Sequence, residues 1–136
     1  MEHITTAVPS YMPNQECDTT MASIYEESLA RRPTVITLCG STKFKAEFLA
    51  MLENLTIAGN IVLLPGYFGH QEGAIPISPE VKEHLDALHK RKIDMSDYIY
   101  VINKDGYIGE STQNEIAYAR EHQKGILYYE DIGEKS

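Results

Sequence analysis

"SDYIYVINKDGYIGESTQNEIAYARE", residues 96–121, carries the reading on which the fold depends. It opens with a short apolar run rich in β-branched and aromatic residues, "DYIYVIN" (97–103), and closes in a helical pattern running from about Ser111 to His122. A strand that passes through one loop into a helix is the repeating unit of a parallel α/β sheet. The loop holds Asn103, Lys104, Asp105, Gly106 and Gly109, followed by the polar run "ESTQNE". In such sheets the loops after the strands are where ligands bind, so this junction is the first place to look for chemistry.

The same unit recurs on both sides. "TVITLC" (34–39) is a second β-branched run, followed by Phe44, Phe48, Leu52 and Leu55 at helical intervals, with Gly59 closing that helix. "NIVLLP" (60–65) repeats the strand signal; Ser78 and Pro79 then read as a cap and first turn, with Val81, Leu85 and Leu88 on one helix face. "GILYY" (125–129) is the last strand. Continuous apolar strands separated by helices predict a three-layer α/β sandwich of the flavodoxin-like or Rossmann-like kind. Its parallel sheet has four or five strands in the order 2-1-3-4, and right-handed crossovers put helices on both faces. In that order the loops after Cys39 and after Ile102 border one crevice at the switch point.

The totals narrow the function classes. The 136 residues fit one domain, read as 34–136, preceded by an arm over 1–33 with a short helix from Ala22 to Arg32 that Pro33 ends. A net charge of −8, from 20 acidic and 12 basic residues, argues against general attraction to a nucleic-acid backbone or an anionic membrane. No segment has the length of a membrane span or the apolar core of a signal peptide, so the expected setting is cytoplasmic: bacterial, or a bacterial host for a phage-encoded protein. Cys17 and Cys39 could pair on paper, but Cys39 lies in an apolar strand, where a buried free thiol is the commoner state.

Three segments carry candidate chemistry. In "LCGSTKFK" (38–45), Gly40 allows a tight exit from the strand, and the amides of Ser41, Thr42 and Lys43 sit at a helix start that favours a phosphate or ribose hydroxyls. A plain glycine turn with a Ser or Thr cap fits the same residues. In "PGYFGHQEGAIPIS" (65–78), Tyr67, Phe68 and His70 lie among glycines, as a lid over a nucleobase would need, or as a surface loop pinned by one buried aromatic. His84 and His89 are five apart, off same-face helical spacing, so they give no metal site. In the third segment Glu115 could attack an anomeric carbon, but Thr112 and Glu115 also fit the S/T-x-x-E capping box. Spacing alone leaves catalyst and cap open. Asp97 and Asp94 could be turn residues at the opposite end of the sheet.

Together these pieces resemble the nucleoside 2-deoxyribosyltransferase superfamily, including the 2'-deoxynucleoside 5'-phosphate N-hydrolases, over residues 34 to about 130. The matching elements are Cys39-Gly40-Ser41 after the first strand, Asp97 opening "SDYIYVIN", and Glu115 in "NEIAYA", with "GYIGxST..EI.YA" closest to small phage and bacterial relatives. The resemblance implies Glu115 as nucleophile and Asp97 as a residue orienting sugar or base. It also implies Gly40 to Thr42 as the sugar and phosphate cradle, with Ser111 and Thr112 near the phosphate. Lys43, Tyr67, His70, Asn103 and Gly109 complete the expected substrate contacts. It implies no cofactor or metal, and a homodimer or higher homo-oligomer with shared sites. Two features depart from the family pattern: Gly109 stands where the family has a polar residue, and the C-terminal region is short.

The expected reaction is cleavage of a 2'-deoxynucleoside or its 5'-monophosphate at the N-glycosidic bond, by hydrolysis or transfer to another base. The rivals are a nucleotide-binding module without turnover, and a glycohydrolase of NAD-like nucleotides.

Overall fold

The computed structural model describes residues 26–27 and 31–132. Of the expected helix over 22–32, Glu26 and Glu27 are helical; the rest of the arm up to residue 30, Cys17 included, lies outside the described residues. The ordered elements are β1 (Val35–Gly40), a 3-10 turn (Thr42–Phe44), α1 (Lys45–Ile57), β2 (Ile61–Leu63) and α2 (Pro79–Asp94). They continue with β3 (Tyr98–Ile102), a 3-10 turn (Lys104–Gly106), α3 (Glu110–Glu121) and β4 (Gly125–Tyr128). All strand pairs are parallel and the order is β2-β1-β3-β4. The protein is a three-layer α/β sandwich, as the alternation of runs and helical patterns predicts.

Alternation along the strands sorts the core into two halves. Ile36, Leu38, Tyr98 and Ile102 pack with Phe44, Phe48 and Leu55 on the α1 side. Cys39, Ile99 and Val101 face the other way and pack with Ile93 of α2 and with Ile116 and Ala119 of α3. Successive strand residues point to opposite faces, so the two helical layers meet different residues of the same strands. Local signals fix the ends. The Ser78 hydroxyl accepts from the Val81 amide at 3.2 Å ahead of Pro79, and α1 is followed by Gly59 at φ 101°. At Gly125 a Cβ would stand 2.4 Å from the Tyr98 ring, so only glycine lets β4 pair with β3 there.

One expected face is corrected. Val81 and Leu88 are 42% and 54% exposed; the buried residues of α2 are His89 and Ile93. The helix is turned by about one residue, roughly 100° of rotation, from the Val81–Leu85–Leu88 stripe. Its phase follows Leu85, His89 and Ile93 at intervals of four. A buried knot then holds its last turn to β1: the Thr37 and Ser96 hydroxyls lie within hydrogen-bond distance of each other and of the Lys92 carbonyl, and their two protons are shared among the three contacts. Among the described residues no helix is long and apolar enough to cross a membrane.

Candidate functional site

The carboxyl ends of β1 and β3 meet as the strand order requires. Gly40 ends β1 at φ 145°, and a Cβ there would lie 2.8 Å from the Ile102 carbonyl, so glycine is what lets the two strand tips touch. Ser41 then caps the 3-10 turn, its hydroxyl accepting from the Lys43 amide at 3.3 Å. Thr42 Oγ1 hydrogen-bonds His70 Nδ1 at 2.7 Å, tying the first expected segment to the second. Phe68 is the anchor of that second loop, edge-on to Phe48 at 5.6 Å, and the Tyr67 hydroxyl donates to the Ile75 carbonyl. The loop after β3 reaches the same place: Tyr107 packs edge-on to Phe44 at 6.1 Å, and Lys43 Nζ lies 3.8 Å from the Tyr107 ring centre. The loops after β1 and β3 therefore face each other.

Two expected roles in the β3 loop are corrected. Asn103 is 2% exposed, and its amide is fully engaged with the backbone of Glu130: Nδ2 donates to the carbonyl at 3.1 Å and Oδ1 accepts from the N–H at 2.8 Å. It latches the end of β4 to the β3 loop, and its 2% exposure keeps it from the surface of the crevice. Glu130 adds its own carboxylate, which accepts from the Asp105 amide at 3.0 Å, where the chain passes through φ 56°. The capping box does not form either. The helix begins at Glu110, three residues before a cap at Thr112 requires, with Gly109 at the cap and no side-chain cap hydrogen bond. Thr112 is 3% exposed and Ser111 is exposed, so the two do not present a common face.

Freed from capping, Glu115 faces inward from the second turn of α3. Its side chain is 13% exposed, and one carboxylate oxygen lies 3.9 Å from His89 Nε2. The same ring nitrogen is 3.4 Å from Cys39 Sγ. The donor atoms of Cys39, His89 and Glu115 all lie within 4.8 Å of one another. β1 supplies the thiol, α2 the imidazole and α3 the carboxylate, so three elements distant in sequence converge on one point.

Burial sets the electrostatics of this cluster. It pushes the Glu115 carboxyl up to about 7; the Cys39 thiol hydrogen bond opposes, Asp86 adds, and the charges of Lys90 and Lys82 oppose. Burial, then the charge of Glu115, raises the Cys39 thiol well above its ordinary value. Burial and Lys92 lower His89 to about 4, against Asp86, so the ring is neutral at neutral pH. His89 Nδ1 is buried without a hydrogen-bond partner. The ring is therefore not the middle of a nucleophile–imidazole–acid relay, which needs partners on opposite nitrogens. A depression of about 300 Å³ on the outer side of α2, lined by Pro79, Glu80, Lys82, Glu83 and Asp86, does not include Glu115.

Asp97 is at the other edge of the sheet, where strands begin. Its Oδ2 accepts from the Val35 amide at 2.9 Å and its Oδ1 from Arg32 at 2.6 Å, while its backbone pairs with Val35 and Gly125. This is the opposite-end placement that the residues allowed, away from the sugar- or base-orienting role that the resemblance implies: it clamps the starts of β1, β3 and β4. Within "NEIAYA", Ile116 and Ala119 are core, and the Tyr118 hydroxyl bridges Arg91 and Asp94 of α2. Much of the motif that carried the resemblance is thus packing and tethering. His89 escaped sequence reasoning, although its position between Leu85 and Ile93 at intervals of four was a readable sign of burial.

None of the protein-family models, curated proteins or solved structures compared with this chain matches it significantly.

Proposed function

We propose that the protein cleaves the N-glycosidic bond of a 2'-deoxynucleoside or its 5'-monophosphate, with Glu115 as nucleophile. One observation carries this reading: the Glu115 carboxylate projects from α3 towards the tip of β1 and takes no part in capping its own helix. A helix-borne carboxylate beside a strand-tip loop at the switch point is placed for attack on a sugar held across that loop. The resemblance of "NEIAYA" to the deoxyribosyltransferase motif supports the same assignment.

In the proposed reaction one Glu115 oxygen forms a bond to C1' as the C1'–N bond breaks, and the base takes the electron pair and a proton. Water then attacks C1' of the glycosyl ester, releasing the sugar and returning the carboxylate; a second base in place of water gives transfer. Only the ionised acid attacks, so the rate rises with pH through about 7. Lys43 and Lys45, each over an aromatic ring of the facing loops, supply positive charge for a 5'-phosphate. A second copy of the chain completes the sugar pocket in this proposal, and the exposed Val81 and Leu88 are the apolar residues it would cover.

Incubation with deoxynucleosides, their monophosphates and NAD, followed by chromatography for free base with and without an acceptor base, tests the proposal. Release from deoxynucleosides or deoxynucleotides is expected, and release from NAD alone would transfer the assignment to nicotinamide glycohydrolysis. Tight nucleotide binding without release would favour a sequestering module. That rival shares the crevice; of its two supports, the cap role of Glu115 is not formed, since Gly109 stands at the cap.

A further inference from the structure

We propose that Cys39, His89 and Glu115 form a binding site for a divalent cation of the zinc class, with one coordination position left open. The expectation of no metal weighed only His84 against His89; His84 is exposed and plays no part, while His89 turns inward to a thiol and a carboxylate.

Distances support this first. With zinc–sulfur near 2.3 Å and zinc–nitrogen or zinc–oxygen near 2.0–2.1 Å, neighbouring donors of a tetrahedral site lie roughly 3.3–3.6 Å apart. Cys39 Sγ and His89 Nε2 are 3.4 Å apart, and Nε2 and the Glu115 oxygen are 3.9 Å apart. A side-chain adjustment of about half an ångström closes the second, and the sulfur and oxygen lie within 4.8 Å of each other. Convergence on one ring nitrogen is the further sign. A relay splits its partners between Nδ1 and Nε2, whereas a shared cation gathers sulfur and oxygen around the nitrogen that ligates it.

Donor chemistry selects the ion. A thiolate and an imidazole disfavour magnesium and calcium, which take oxygen ligands, and suit zinc or its analogue cobalt(II). One thiolate, one carboxylate and one neutral imidazole offset the charge of a divalent ion. Three protein ligands also match the arrangement of zinc sites that keep a fourth position for water or substrate. Glu115, at 13%, is the more exposed of the pair it makes with His89 at 8%. This inference does not rest on glycosidic cleavage. If both hold, zinc occupies the carboxylate that would attack the sugar and inhibits base release.

The test uses the full chain with Cys17→Ser, leaving Cys39 the one thiol. Cobalt(II) titration followed by absorption, with equilibrium dialysis against zinc, is expected to give one ion per chain, tetrahedral visible bands and a sulfur-to-cobalt charge-transfer band. Cys39→Ala should remove the charge-transfer band, and His89→Gln and Glu115→Gln should each weaken zinc binding by more than about 100-fold. Circular dichroism identifies any variant that fails to fold, and the remaining ones decide. Absence of stoichiometric binding by the folded parent, or undiminished binding in the folded variants, overturns the site. Neither outcome depends on any substrate being cleaved.

Discussion

Asp97 and Glu115 lie at opposite ends of the sheet and are treated in opposite ways. At the amino edge, burial alone would push Asp97 up, but the Arg32 hydrogen bond, the Val35 amide and the charges of Arg32 and Lys124 outweigh it and hold the group below its ordinary value. At the carboxyl edge, Glu115 meets a thiol, a neutral ring and apolar side chains, and burial wins. An acid supplied with donors is a fastener. An acid given one thiol donor in a buried site has its carboxyl pushed up instead, and the contrast separates two residues that the resemblance paired as one catalytic set.

Four measurements sharpen or break that contrast. The largest effect is expected from Glu115→Gln, which should lower base release by at least about 10³-fold with unchanged circular dichroism, as loss of a nucleophile does. Normal turnover in the variant would refute the role of Glu115.

Next is stability against pH in metal-free protein. Glu115 has a folded value near 7 above its ordinary 4.5, so its contribution is present at low pH and lost as pH rises through about 7. His89, lowered to about 4 from 6.5, behaves oppositely: its contribution is present above 6.5 and lost as pH falls through about 4. Because the two slopes offset each other, the effect is read as a difference: wild type should lose on the order of 3 kcal/mol relative to Glu115→Gln as pH rises from about 4.5 through about 7. Denaturant midpoints of wild type and variant that fall in parallel between pH 5 and 8 would show that Glu115 is not held in a dry site.

Asn103→Ala comes third. Breaking both bonds to Glu130 should cost about 2 kcal/mol, since each net hydrogen bond contributes roughly 1 and the partners are partly buried. Unchanged thermal stability would return Asn103 to the list of substrate contacts. The smallest effect belongs to Asp97→Asn. Its side chain is 30% exposed and Arg32 66%, so the pair is screened and a loss of about 1 kcal/mol is expected, without a change in base release at saturating substrate. A large loss of turnover with intact folding would put Asp97 back in the reaction.

Much of the candidate site was visible as segments and hidden as geometry. Gly40, Glu115 and the facing loops could be found because a strand, a glycine turn and a helix leave local marks. The phase of α2 was misread because Val81, Leu85 and Leu88 form a good apolar stripe that outweighed the Leu85–His89–Ile93 spacing, in which the middle residue is polar. The Asn103–Glu130 latch joins residues 27 apart, which no spacing rule connects. The capping box failed for a related reason: the pattern is correct in type, but the helix start was set three residues earlier by the turn through Gly106 and Gly109.

The strand and helix periods by themselves determined the three-layer sandwich and its order β2-β1-β3-β4, because burial on two faces and right-handed crossovers leave few other arrangements. Tertiary structure alone decided which acid is satisfied and which is stranded. A side chain's ionisation and ligands depend on what other elements bring within a few ångströms, and Cys39, His89 and Glu115 meet only after β1, α2 and α3 have packed.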